Sequence, residues 1–242
     1  QIREKRHLGE IREILCLNAK GDLVEMKTQP GAYGIRKEYE KGKLKERIYL
    51  NQEGKAANIT AAIERRTYDE KGFLKETAFY KGDSPSHDKN GVHRHVYSFD
   101  ASYRLLSSAC FSIEGKPAAC NKFADYHRDE YRYDQKGNMI EKQYFGVDGK
   151  PKDFNGLMAT KEVITYNDMG LETGRALFGA DDKPFAGSAM YHRTTISYDE
   201  KGNATELRFL GKEGEPVVNT REGYHMLRLD PGPLGQASKY EF

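Results

Sequence analysis

Three His-Arg dipeptides, His93-Arg94, His127-Arg128 and His192-Arg193, carry the most suggestive chemistry in this sequence. Each histidine lies six residues before an aromatic-Asp dipeptide: Phe99-Asp100, Tyr133-Asp134 and Tyr198-Asp199. Imidazole titrates near neutrality and guanidinium grips carboxylates and phosphates, so a row of such pairs would make an anion-binding or pH-responsive strip. Tyr126 and Tyr191 immediately precede two of the histidines and, as exposed side chains, would widen the strip. The candidate ligand-binding set is therefore His93, Arg94, Tyr126, His127, Arg128, Tyr191, His192 and Arg193. A plainer reading competes with it: the histidine is a repeat residue that hydrogen-bonds the backbone of its neighbour. Thr160 fills the same slot in one copy, which breaks the row and favours the plainer reading.

Carboxylates also recur, at Asp69, Asp134, Asp148, Asp168, Asp181, Asp182 and Asp199. Paired acids can hydrolyse glycosides or bind calcium. Aspartate at turn positions is explained by local hydrogen bonding without any catalysis. The sequence contains no G-x-S-x-G, no P-loop, no H-E-x-x-H and no EF-hand loop, and its cysteines and histidines do not cluster as zinc ligands. The expectation is a non-enzymatic protein with no cofactor and no metal.

Of the three cysteines, Cys110 and Cys120 lie five residues either side of Gly115. A three-residue loop centred on that glycine would set them opposite one another and allow a disulfide. A two-residue turn would put them one register out, and three buried thiols is the other reading. An oxidised pair would point to the periplasm or the exterior, leaving Cys16 free.

The elements that must position these groups are short and repeated. Tyr133-Asp134-Gln135-Lys136-Gly137-Asn138 recurs as Tyr198-Asp199-Glu200-Lys201-Gly202-Asn203 and as Tyr68-Asp69-Glu70-Lys71-Gly72. Weaker copies begin at Tyr39, Phe99 and Tyr166. The glycine slot falls at 42, 72, 103, 137, 170 and 202, so the period is 30 to 34 residues. A second phrase follows about twelve residues later, clearest in Phe145-Gly146-Val147-Asp148-Gly149-Lys150-Pro151 and Phe178-Gly179-Ala180-Asp181-Asp182-Lys183-Pro184. Asp-x-x-Gly offers a side-chain acceptor at its start and tolerance of positive φ at its end. Asp-Gly-Lys-Pro reads as a tight turn whose proline ends the ladder, because proline has no N–H to give.

One strand's length separates the two turns, and a loop of variable length follows the proline before a return strand such as Val163-Ile164-Thr165-Tyr166. Each repeat is thus a β-hairpin plus a connection. Glycine or proline every ten residues or so excludes helices of ordinary length. Only Leu8 to Leu17 has some helical spacing; it reads as a cap, or equally as the first strand before Asn18. An isolated hairpin is marginal in water, so successive copies must cover one another. Two columns would do this: Leu50, Tyr80, Phe111, Phe145, Phe178 and Leu210, and Tyr39, Tyr68, Phe99, Tyr133, Tyr166 and Tyr198.

Composition agrees with a thin, well-solvated sheet. Of 242 residues, 37% are hydrophobic and 31% charged, while 16 tyrosines and 11 phenylalanines argue against disorder. With 39 basic and 37 acidic groups the net charge is +2, which gives no electrostatic footprint for nucleic acid. No apolar run approaches the roughly 20 residues of a membrane span. The start at Gln1, without methionine, suggests a processed or trimmed chain, so a removed targeting segment stays open.

The Tyr-Asp-x-x-Gly-Asn phrase resembles bacterial tandem β-hairpin repeats of the YD/RHS, MORN-like and WG types, over roughly residues 35 to 230. Resemblance to YD/RHS repeats implies a segment of a hollow shell that encloses a toxin. Resemblance to WG or MORN arrays implies binding or scaffolding with no catalytic residues to carry over.

The expected fold is all-β: about six ~32-residue β-hairpin repeats stacked as an elongated, twisted sheet or solenoid. Residues 1–34 would be a degenerate N-terminal cap, 35–230 the array and 231–242 a C-terminal tail. Leu229-Asp230-Pro231-Gly232-Pro233 would close it, since prolines stop a further repeat. The expected function is a non-enzymatic binding or scaffold module with a protein or glycan partner, in a periplasmic or extracellular bacterial protein. The alternatives are a structural segment of a larger surface or toxin-delivery protein, and a carbohydrate-active enzyme or lectin on a β-repeat scaffold.

Overall fold

A computed structural model describes residues 2–7, 10–121, 125–153 and 158–229. It is all-β, with antiparallel pairing throughout and no helix among the described residues. The chain divides into two compact halves, residues 1–122 and 123–242.

The N-terminal half holds β1 (Ile2–His7), β2 (Glu10–Cys16), β3 (Gly34–Glu40), β4 (Lys43–Leu50), β5 (Ile63–Tyr68), β6 (Leu74–Lys81), β7 (Ser84–Pro85), β8 (Arg94–Phe99) and β9 (Leu105–Phe111). They pair in chain order, except that the two-residue β7 sits on β6 off the main path. The C-terminal half holds β10 (Arg128–Tyr133), β11 (Met139–Phe145), β12 (Lys161–Tyr166), β13 (Glu172–Phe178), β14 (Arg193–Tyr198), β15 (Ala204–Leu210) and β16 (Met226–Arg228), again paired in chain order.

Every repeat uses the same hairpin. In β12–β13, Lys161 faces Phe178 and the pairing runs to Thr165 and Gly174, with a bulge before Tyr166. The equivalent bulge precedes Tyr39, Tyr68, Phe99, Tyr133 and Tyr198. Asx chemistry closes the first turn: Asp199 Oδ1 accepts the N–H groups of Lys201 and Asn203, and Gly202 N–H donates to the Asp199 carbonyl. Most of these turns end on a glycine with positive φ, whereas Tyr103 takes the position at φ 65°.

Glu10–Cys16 is a strand paired with β1, so of the two readings of 8–17 the strand forms and not the helical cap. Asn18 and Gly21 then make the turn that follows β2. The closing segment from Asp230 and the tail 231–242 lie outside the described residues. Proline does not end the ladder either. Pro151 bridges Phe145, and the next residue, Lys152, donates its N–H to the Tyr144 carbonyl at 2.9 Å. Proline occupies a position whose N–H is not called on, and pairing continues past it. The same step recurs from Ala118 to Cys110, Phe185 to Leu177 and Val217 to Phe209.

A third turn brings the connection back to the next hairpin. Its left-handed residue is Gly31, Ala61, Gly91, Met158, Met190 or Gly223. The residue after each is Ala32, Ala62, Val92, Ala159, Tyr191 or Tyr224, and all six are buried or half-buried. Facing them is the main core column. In four repeats it lies one residue before the expected one: Cys110, Tyr144, Leu177 and Phe209 are 1, 3, 2 and 5% exposed, while Phe111, Phe145, Phe178 and Leu210 are only half-buried on the other face; Leu50 of the expected column is itself buried, at 1% exposed. A strand alternates its sides, so a one-residue offset exchanges core for surface.

Candidate functional site

The histidines are anchored in the backbone. His93 donates its own N–H to the Phe111 carbonyl at 3.0 Å. Its ring Nδ1 lies 3.0 Å from the Phe79 carbonyl oxygen and 2.7 Å from that of Ser86. Carbonyl oxygens only accept, so Nδ1 carries the proton. His192 repeats the pattern, with its N–H on the Leu210 carbonyl and Nδ1 2.8 Å from the Leu177 carbonyl, and it is 8% exposed. His127 donates its N–H to the Phe145 carbonyl at 2.8 Å, and Thr160 does the same to Phe178 at 2.9 Å.

The cation that follows the histidine lies over an aromatic ring. Arg94 is 4.8 Å from the centroid of Phe111, directly across the hairpin, and Arg128 is 4.5 Å from Phe145. Lys161 takes the place over Phe178 at 4.9 Å. Arg65, two residues along from the position facing Tyr80, covers that ring at 4.4 Å. The histidine of the next repeat meets two of these rings edge-on, His93 on Tyr80 and His192 on Phe178, each at 5.5 Å. A guanidinium on a ring face and an imidazole at its rim complement the ring's charge distribution. Arg193 faces Leu210, not a ring, and is exposed.

The two tyrosines are not exposed. Tyr126 is half-buried and meets Tyr144 edge-on at 5.0 Å; Tyr191 is half-buried against Phe209 at 5.0 Å. Burial pushes the Tyr191 phenol above its usual range, although Arg221 and Arg175 pull it the other way. Both rings belong to the packing around Tyr144, Ala159 and Leu177. Of the eight candidates, His93 and Arg94 come together in the N-terminal half and the other six lie in the C-terminal half.

Two further clusters lie outside the eight candidates, and the first contains the disulfide expected from the sequence. Cys110 and Cys120 form a disulfide with Cα atoms 5.3 Å apart. The bond does not follow either simple hairpin register: Phe111 bridges Pro117 and Ala118 donates to the Cys110 carbonyl, so Cys120 comes back to Cys110 from two residues further along. Beside it, His95 Nδ1 is 3.4 Å from Cys110 Sγ, and His95 Nε2 is 3.4 Å from Asp88 Oδ2. Burial raises the Asp88 carboxyl, but His95 and the N–H groups of Val92 and Asn90 outweigh it and hold it below the usual range. His95 is adjacent to the noticed His93-Arg94 pair, and no spacing rule links it to Asp88.

The second cluster is a cross-strand ion-pair series joining one hairpin to the next. Glu46 Oε1 accepts from Arg65 Nε at 2.7 Å, Arg94 lies 3.1 Å from Glu76, and Glu206 lies 3.9 Å from Arg228. Glu46, Glu76 and Glu206 of β4, β6 and β15 thus reach the neighbouring repeat, whereas Glu141 and Arg175 pair within their own hairpins. Among the described residues no group of three or more His, Cys, Asp or Glu side chains is placed to hold a metal ion.

No family model and no curated protein matches the sequence. Solved structures do. The chain is similar to one titled "Crystal Structure of TcdB2-TccC3-TEV", with a TM-score of 0.54 and 15% identity over 91% of this chain and 9% of that one. Structures titled TcdB2-TccC3-Cdc42 and TcdB2-TccC3 without hypervariable C-terminal region match at TM-scores of 0.41, covering 87% and 82% of this chain. This chain spans about a tenth of the length of the structures it matches. The likeness is one of fold: a hairpin-repeat array similar to a stretch of TcdB2-TccC3.

Proposed function

We propose that this chain is a non-enzymatic scaffold segment of a larger bacterial hairpin-repeat protein that acts outside the cytoplasm, of the toxin-delivery kind. The observation that carries the reading is the match to TcdB2-TccC3-TEV over 91% of this chain and only 9% of that one. Repeat chemistry supports it: the candidate ligand-binding side chains of His93, His192, Arg94 and Arg128 hold backbone carbonyls and aromatic rings. The Cys110–Cys120 disulfide fits an oxidising compartment.

Cryo-electron microscopy of the full-length gene product tests the proposal. A continuous wall of further hairpin repeats around an enclosed space is the expected result. A protein with no hairpins beyond these, or turnover in a screen of glycosidase and esterase substrates, would overturn it.

A further inference from the structure

We propose that a cleft in the N-terminal half binds an acidic oligosaccharide. The cleft measures about 760 Å³ and its walls are connector residues 28–29, 58–61 and 87–89, from three successive repeats. That volume lies in the usual range of small-ligand sites, about 300–1,000 Å³. Its floor is the sheet itself. Glu64 on β5 faces Phe79 on β6 and Arg47 on β4, and Tyr49 lies two residues beyond Arg47 on the same side.

At the cleft two successive repeats lack a tyrosine that two later repeats carry. After the left-handed residue of the third turn, Tyr191 covers Phe209, and Tyr126 in the matching place before His127 covers Tyr144. In the N-terminal half these places hold Ala32, which is fully buried, and Ala61, which is half-buried and lines the cleft, while Ala62 takes the register of the histidines. Tyr49 and Phe79, the counterparts of Tyr144 and Phe209, are accordingly only half-buried, and both line the cleft. A pair of half-buried rings on β4 and β6, with β5 between them and one edge of Phe79 against His95, is a surface on which the C–H faces of sugar rings can stack.

Charge sets the class of sugar. Both oxygens of the Glu64 carboxylate are already engaged, by Arg47 at 2.9 Å and Arg66 at 2.7 Å. Asp88 is turned to His95 and to backbone N–H groups. The exposed polar groups of the lining include the amide of Asn58, the hydroxyls of Thr28 and Thr60, the imidazole of His87 and the ammonium groups of Lys81 and Lys89, which suit hydroxyls and carboxylates. Aromatic stacking, an amide and two rim cations together fit a sugar chain bearing carboxylates.

Titration calorimetry with trigalacturonate tests this, with maltotriose as the neutral probe and triglutamate as the acidic peptide. The expected result is binding of trigalacturonate alone. Phe79→Ala and the rim variant Lys81→Ala/Lys89→Ala should each weaken it at least tenfold, while Phe79→Tyr retains it. The two lysines are exposed, so their replacement tests the site even if Phe79→Ala unfolds. No binding of trigalacturonate at millimolar concentration, binding untouched by the lysine variant, or equal binding of maltotriose or triglutamate would overturn the proposal.

Discussion

The Tyr198 hydroxyl donates a hydrogen bond of 2.7 Å to the backbone carbonyl of Glu172, on the preceding hairpin. Tyr166 does the same to Met139 at 2.9 Å and Tyr68 to Leu44 at 2.8 Å. In each case the acceptor is two residues past the first-turn glycine of the repeat before. The tyrosine of the Tyr-Asp phrase thus pins each hairpin to its predecessor through its hydroxyl. A repeat with phenylalanine there, as at Phe99, keeps the ring and loses the pin; Phe99 instead stacks with Tyr103 at 5.0 Å.

Tyr166→Phe and Tyr198→Phe should therefore each destabilise the C-terminal half by about 1 kcal/mol, the usual net worth of such a bond. In a chain of this size that lowers Tm by roughly 2–4 °C. Thermal unfolding followed by circular dichroism reads the shift. Unchanged melting in both variants would show that the hydroxyl bonds contribute nothing to the stacking of repeats.

The cations over the ring column predict a contrast within one motif. Arg128 covers Phe145, whereas Arg193, in the same motif position, faces Leu210. Arg128→Ala should cost about 0.5–1 kcal/mol, and Arg193→Ala close to nothing. Chemical denaturation of the two variants side by side measures the difference. Equal losses would mean that the ring is irrelevant and that both arginines act through general packing.

How much of this was legible in the sequence follows from what each residue type reports. Glycine and aspartate report turns directly, so two of the three turns per repeat, the period and the all-β class could be read from the spacing. The third turn was hidden because Ala61, Met158 and Met190 take left-handed conformations there that their side chains do not advertise. The core column was placed one residue late because Phe145 and Phe178 look more like core than Leu177 or Cys110 do. Their rings are instead covered from the solvent side by Arg128 and Lys161, and apolar character alone does not distinguish the two faces. Tyr126 and Tyr191 were misjudged as exposed for a related reason: connectors were treated as surface, whereas here they fold back onto the sheet.

Acid should open the third turn of the repeat containing Asp88 only below the ordinary carboxyl range. Its carboxylate is held below the ordinary value of 3.8 despite the opposing effect of burial, by His95, Val92 and Asn90. A carboxyl depressed in the folded state contributes stability that is complete above its unfolded value and is lost as pH falls through the folded one. The amide resonances of Asn90 and Val92 should consequently titrate together with a midpoint below 3.8, and Asp88→Asn should abolish the titration. A midpoint at or above the ordinary value would contradict the hydrogen-bonded arrangement.

Reduction of the disulfide gives the most demanding prediction. Cys110 occupies the core column where other repeats place Tyr144, Leu177 or Phe209, so this hairpin has a small side chain at its centre and a covalent tie in place of a large one. The tie closes a loop with a sequence separation of 10, for which loop-closure entropy gives a stabilisation of about 3 kcal/mol. Thiol titration of the unfolded, unreduced protein should find Cys16 alone, and all three cysteines after treatment with a phosphine. Reduced protein should lose amide-exchange protection first between residues 110 and 120, because no large side chain there replaces the lost bond. Protection undiminished in that segment would show that the hairpin is held by its backbone ladder and by Val92, and that the disulfide adds nothing to the fold.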